Sequence, residues 1–243
     1  MHALSLPTPP PDSALRVRLQ EFNLLPSRLW HLARQPGWQR ELQALGALAS
    51  RSALVRVLHR RWSAQLLAAL GPAALPVTDL AHPALALALA PAPLLQQLQR
   101  RAGVLLLAPR LRRVVRRSEV LALREALGAE LLQWAYGDAE ALMDALAQGR
   151  GAAGQGAAGG SDAELPADPA AAADLLGAGL LAQSWHDAPA GLKLRADGRL
   201  PPGADDAAVR TASGLDAARA RHLCRQLLAS LDSTWLSSFP ATP

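Results

Sequence analysis

Apolar residues return at every third or fourth position through most of this sequence, a period that gathers them on one face of a helix and not on alternate faces of a strand. Trp38, Leu42, Leu45 and Ala49 form one such stripe, and Leu54, Leu58, Trp62 and Leu66 form a second. Val120, Leu123, Leu127, Leu131 and Trp134 form a third. Composition points the same way. Half the residues are hydrophobic but only 4% are aromatic, with leucine and alanine abundant and β-branched residues scarce, a mixture that intrinsic propensity assigns to helix. The expectation is an all-α fold: a compact multi-helix domain with a flexible Gly/Ala-rich insertion. A chain of 243 residues can bury a core without staples, and the lone Cys224 can form no internal disulfide.

Proline and glycine mark the boundaries. Pro7, Pro9, Pro10 and Pro11 crowd residues 1–14, which read as a disordered leader because proline lacks a donor and fixes φ. Residues 15–147 read as a basic helical core, punctuated by Pro26 and by Pro36-Gly37. Ser50 or Ser52 can cap a helix that Gly71-Pro72 ends. A helix from Pro93 to about Arg101 precedes the apolar step Val104 to Ala108, and Ser118 opens the strongest helix, which runs toward Leu146. Residues 148–165 have no apolar period and read as a flexible linker. In 166–243, expected to pack on the core, Asp168 caps and Pro169 starts a helix to about Trp185. Turns with at most a short hairpin at Asp197-Gly198 follow, then a last helix from about Leu215 to Trp235.

The apolar stretch Leu80 to Leu95 is interrupted by His82, Pro83, Pro91 and Pro93 and is too short to span a bilayer, so it reads as buried helix. With no charged-then-apolar leader, the reading is a cytosolic protein. The sequence pI near 10.8 reflects 24 arginines against the single Lys193 more than a large excess of charge, which is only +5. That charge is unevenly placed: residues 1–148 hold 17 basic and 10 acidic groups, a net of +7, whereas 149–243 hold 8 and 10, a net of −2.

Catalytic patterns are weak. Two matches to the dinucleotide fingerprint, Gly149-Gly151-Gly154 and Gly154-Gly156-Gly159, follow a helix and not a strand. The six histidines show no metal-binding pairing, so no metal or cofactor is expected. Ser184, His186 and Asp187 are too close in sequence to form a triad, and Glu125, Glu130, Asp138, Glu140 and Asp144 read as a solvated face. The tryptophans Trp30, Trp38, Trp62, Trp134, Trp185 and Trp235 are spread one per helix, as core residues are. The expectation is therefore a non-enzyme with no small-molecule substrate.

One cluster stands apart. Arg100, Arg101, Arg110, Arg112, Arg113, Arg116 and Arg117 have no acid among them, and on one helix 110, 113 and 117 would share a face, as would 112 and 116. Arg110, Arg112, Arg113, Arg116 and Arg117 are the candidate partner-binding residues. An acidic protein surface, nucleic acid, lipid headgroups or the chain's own rear could answer them. A helical nucleic-acid-binding protein using these arginines is the alternative reading, weakened by the absence of stacking aromatics between Trp62 and Trp134.

Three segments carry a family resemblance. EFNLLPSRLWHLARQPGW, from Glu21 to Trp38, resembles the N-terminal segment of the SctK (YscK-like) proteins of bacterial type III secretion systems. LLQQLQRRAGVLLLAPRLRRVVRRSEVLALREALGAELLQWA, from Leu94 to Ala135, is similar to that family's central core, and Trp235 to Pro240 to its closing segment. The resemblance implies a cytoplasmic adaptor of the secretion sorting platform, peripheral at the base of the apparatus. It would bridge the cytoplasmic domain of the inner-membrane ring protein (SctD-like) and the C-ring-like pod protein (SctQ-like). It would meet the membrane only through the ring protein, bind no nucleic acid and do no chemistry of its own.

Overall fold

The computed structural model describes residues 11–139, 141–142 and 164–239. Those residues are helical throughout, joined by turns, with no strand among them: α1 (Pro11–Leu24), α2 (Pro36–Leu45), α3 (Ser52–Leu70), α4 (Leu85–Ala88), α5 (Ala92–Leu111), α6 (Arg117–Leu127), α7 (Ala129–Tyr136), α8 (Pro169–Ser184), α9 (Ala190–Asp197), α10 (Ala207–Thr211), α11 (Ala217–Leu231) and α12 (Ser233–Ser237). Short 3-10 turns at Pro26–Arg28, Leu32–Arg34, Gly46–Ser50 and Gly71–Ala74 connect the first of these. The fold is the expected all-α, multi-helix domain. The glycine-rich segment expected to be flexible, like Glu140, Asp144 and both dinucleotide fingerprints, lies outside the described residues.

Helix α5 is the centre, and its two sides face two parts of the core. Leu94, Leu95, Leu98, Ala102 and Leu105 meet Leu180 and Leu181 of α8, Trp185 at its C-cap, and Leu223, Leu227 and Leu228 of α11. Val104, Leu107 and Leu111 meet Leu123 and Leu127 of α6 and Leu132 and Ala135 of α7. The approach of α5 to α8 is close enough that only glycine fits at two points: a Cβ on Gly103 would fall on the backbone of Ala173, and one on Gly177 on the backbone of Gln99 and Gly103. Polar groups lock the same crossing. Arg100 holds Asp174 through Nε and Nη2 at 3.1 and 3.0 Å, and Gln99 Nε2 donates to the Asp174 carbonyl at 2.8 Å.

A third, smaller core lies under α2 and α3, where Trp38 stacks on Trp62 with centroids 5.0 Å apart and planes within 10°. Trp62 Nε1 donates to Glu41 at 2.9 Å, and Arg61 pairs with the same carboxylate. Ser27 is buried against α3, with its hydroxyl 3.0 Å from His59 Nδ1 and 2.7 Å from the Ser63 hydroxyl.

The segment Ala84–Ala90 is buried at every residue although only Leu85–Ala88 is helical, so its backbone carbonyls need partners from elsewhere. Arg199, itself buried, donates to the carbonyls of Ala88 and Ala90. Trp235 Nε1 donates to that of Ala86 at 2.9 Å, and Arg225 to that of Pro83 at 3.3 Å. Burial, with the nearby charge of Arg18, brings the Arg199 guanidinium down to about 10. Arg195 does similar work at the 3-10 turn after α3, donating to the carbonyls of Ala73 and Ala74 there and to that of Gly191 in its own helix. Cys224 is fully buried on α11, and burial pushes its thiol up to about 12.

Several expected boundaries move. Proline does not exclude helix from residues 11–14: α1 starts at Pro11, where the first helical position has no need of an amide hydrogen. Neither Ser50 nor Ser52 caps α3, whose N-cap is Arg51 with no side-chain bond. Helix α5 does not stop near Arg101 but runs on through Gly103 to Leu111, because burial of its apolar face outweighs the glycine penalty. The helix expected from Ser118 toward Leu146 breaks at Gly128, whose φ of +90° ends α6. The hairpin at Asp197-Gly198 is absent: Asp197 ends α9, buried and bonded to Trp185 Nε1 at 2.8 Å and Lys193 Nζ at 2.7 Å. The last helix divides at Asp232, which accepts from the Thr234 and Trp235 amides and caps α12.

Two outcomes follow from this packing. Gly103→Ala or Gly177→Ala drives a methyl into backbone that cannot give way, so each lowers unfolding free energy by about 3 kcal/mol, whereas Gly37→Ala, in open space within α2, is neutral or stabilises by up to about 1 kcal/mol; denaturant midpoints check this. Burial also lowers the imidazole pKa values of His31, His59 and His82 below 6.5, with the charges of Arg34, Arg28 and Arg221 adding to the effect. The unfolded chain then binds more protons once pH falls below about 6.5, so stability is flat above neutrality and declines as pH drops through the gap between unfolded and folded pKa values. His59→Gln flattens part of that decline in a series of urea melts across pH.

Candidate protein-docking loop

The arginine-rich segment is the turn between α5 and α6, not one helical face. Arg110 sits in the last turn of α5, Arg112 is its C-cap, Arg113 lies in the turn that follows, Arg116 is the N-cap of α6 and Arg117 its first residue. The expected sharing of helical faces by 110, 113 and 117, or by 112 and 116, therefore does not arise: the chain is extended at Arg116, with ψ of 129°. Two bonds with α7 fix the loop's near side: Tyr136 Oη donates to the Leu111 carbonyl at 3.1 Å, and Arg112 Nε donates to the Ala135 carbonyl at 3.3 Å. Val114 packs against the core shared by α5, α6 and α7, which leaves Val115, 85% exposed, at the tip between Arg113 and Arg116.

The cluster thus splits by role. Arg100 is bound to Asp174, and Arg101 lies over the Trp134 ring, 4.9 Å from its centroid, with Nη1 donating to Ser230 at 3.1 Å. Both brace the core. Arg112, half-buried, ties α5 to α7. Arg113, Arg116 and Arg117 are exposed. Arg116 meets Glu119 at 3.5 Å with both side chains well solvated, a pairing of little energetic weight. Arg116 and Arg117 also stand at the amino end of α6, where the helix dipole disfavours cations. A partner's carboxylate would relieve that arrangement. Beside the loop, a cleft of about 760 Å³ has Val114, Leu123, Ala126 and Leu165 as apolar lining, with Arg110, Arg113, Glu119 and Glu164 also on its walls.

The other residues singled out in the sequence form no reactive site. Ser184 donates to the Leu181 carbonyl at 2.7 Å inside its own helix, and Asp187 pairs with Arg221, so neither is aligned with His186 for nucleophilic chemistry. Glu125, Glu130 and Asp138 are exposed. Among the described residues no three His, Cys, Asp or Glu side chains converge as a metal site, and no helix is long and apolar enough to cross a membrane. Sequence reasoning missed the buried arginines Arg195 and Arg199, since nothing local separates an arginine that ligates carbonyls from a solvated one.

The fold and this loop define a class, a compact all-α domain with a basic, apolar-tipped projection. No family model, curated protein or solved structure matches the chain. Exchanging Arg116 and Arg117 for glutamate replaces cations at the start of α6 with acids, so the isolated protein keeps its stability or gains from a few tenths to about 1 kcal/mol in urea unfolding.

Proposed function

We propose that this protein is a cytoplasmic adaptor of the type III secretion sorting platform, a non-catalytic bridge between the cytoplasmic domain of an SctD-like ring protein and an SctQ-like pod protein. The observation that carries the reading is where the SctK-like residues lie. Phe22 is buried, and Asn23 makes two bonds to the backbone of Val77, at 2.9 and 3.0 Å. Ser27 is bonded into α3, Arg28 pairs with Glu21 at 2.7 Å, and Trp38 stacks on Trp62. Leu105, Ala108 and Leu111, from the central SctK-like block, fill the core, and Trp235 bonds to Ala86. The resemblance therefore falls on residues that a shared fold would need, and Arg113, Arg116 and Arg117 of the α5–α6 loop present their side chains at the surface.

In this reading Arg113, Arg116 and Arg117 set partner choice and association rate, while Val115 and the adjoining cleft supply apolar anchorage. The chain co-purifies with the ring protein's cytoplasmic domain or with the pod protein of the same genome, and light scattering gives a defined complex. Arg113→Glu, Arg116→Glu and Arg117→Glu together weaken one of the two contacts by tenfold or more, about 1.4 kcal/mol, and leave the other intact. Binding to neither protein, with retention on DNA that falls steeply with salt, would replace this function with nucleic-acid binding.

A further inference from the structure

Helix α3 is basic and apolar on the side that the fold leaves uncovered. Its buried residues are Trp62, Ser63 and Leu66. Leu54 and Val57 are 39% and 61% exposed, and Leu48, in the 3-10 turn that leads into α3, is 45% exposed. Ala53, Ala64 and Ala68 are exposed in helical register with Val57, which gives a low apolar track along the helix. Arg56 and Arg60 lie along one edge of that track and Arg61 along the other, with Arg51 at the N-cap; Arg51, Arg56 and Arg60 are exposed and without an ion pair to any described residue, and α3 itself contains no acid. Arg61 alone is matched, by Glu41. Beneath lies a core whose buried apolar members are Trp38, Trp62 and Leu66.

We propose that this outer face of α3 docks an acidic amphipathic helix of another protein. Small residues along the track let a second helix approach closely, Val57 and Leu54 serve as knobs between its side chains, and its flanking carboxylates answer Arg56 and Arg60. The chemistry disfavours the other occupants. A second copy would bring two rows of arginine together. Nucleic acid would leave Leu54 and Val57 unused and would find no exposed aromatic on the track to stack on. A bilayer is held by bulky or aromatic side chains, and three alanines offer it little. This surface is separate from the α5–α6 loop and does not depend on the secretion-platform reading. If that reading holds, α3 supplies the second contact that a bridge requires.

The test uses the full chain and two synthetic helices as long as α3 with the same leucine seam, one flanked by glutamate and one by lysine, followed by fluorescence anisotropy. The glutamate helix binds at least about tenfold more tightly than the lysine helix. Arg56→Glu with Arg60→Glu, or Val57→Asp alone, removes that preference while thermal melts and helical circular dichroism stay unchanged. Arg116→Glu with Arg117→Glu has no effect on it, which keeps this surface distinguishable from the loop. Equal binding of the two helices, or no binding of the glutamate helix, would overturn the proposal. So would uptake by vesicles rich in phosphatidylserine, binding of a DNA duplex, or formation of a dimer, if any of these is abolished by the same α3 substitutions.

Discussion

Everything else in this fold is arranged around the place where α5 and α8 touch backbone to backbone. Gly103 and Gly177 remove the two side chains that would hold the helices apart, and Arg100, Gln99 and Asp174 bind the crossing from its polar side. Because α5 is gripped there, each of its faces is available to a different set of helices. One receives α8 and α11, the other α6, α7 and the start of α8. The position of the α5–α6 loop is a result of that grip: Leu111 is anchored among the α6 and α7 core residues, so the residues after it must emerge at the surface.

The second constraint is the burial of an apolar segment that is too short to be a proper helix. Ala84–Ala90 occupies the interior, its carbonyls met by Arg199 and Trp235 and that of the preceding Pro83 by Arg225, all from the rear part of the sequence. A hydrophobic run has thus been made acceptable inside the protein by polar side chains more than 100 positions away in sequence. The same device recurs where Arg195 meets the 3-10 turn that follows α3. Part of the chain's high arginine content is therefore structural, and the solvent-facing arginines concentrate on α3 and the α5–α6 loop.

Periodicity made the helices legible, because the stripes of α2, α3 and α6 reflect their own packing faces. Local punctuation was less informative. Gly103 looks like a helix end and is instead a contact point, which only the position of α8 reveals. Gly128 looks like a tolerated interruption and is a true break, because its φ is positive. The Asp197-Gly198 pair carries the signature of a hairpin, yet Trp185 and Lys193 claim the aspartate for the interior. The candidate loop was found by its composition, but its geometry was not. Reading Arg110 to Arg117 as helix gave shared faces that a turn does not have, and Arg100, Arg101 and Arg112 could be set aside only once Asp174, Trp134 and Ala135 were seen beside them.

The burial of Cys224 has a consequence for how the molecule responds to its chemical surroundings. A thiol raised to about 12 holds almost no thiolate near neutral pH, and thiolate is the species that attacks disulfides, electrophiles and peroxides. The sole sulfhydryl of the chain is therefore silent toward oxidants and alkylating reagents while α11 stays packed. The folded protein can tolerate swings in redox conditions that would couple a surface cysteine into mixed disulfides, and thiol reactivity, when it arises, reports the opening of the core.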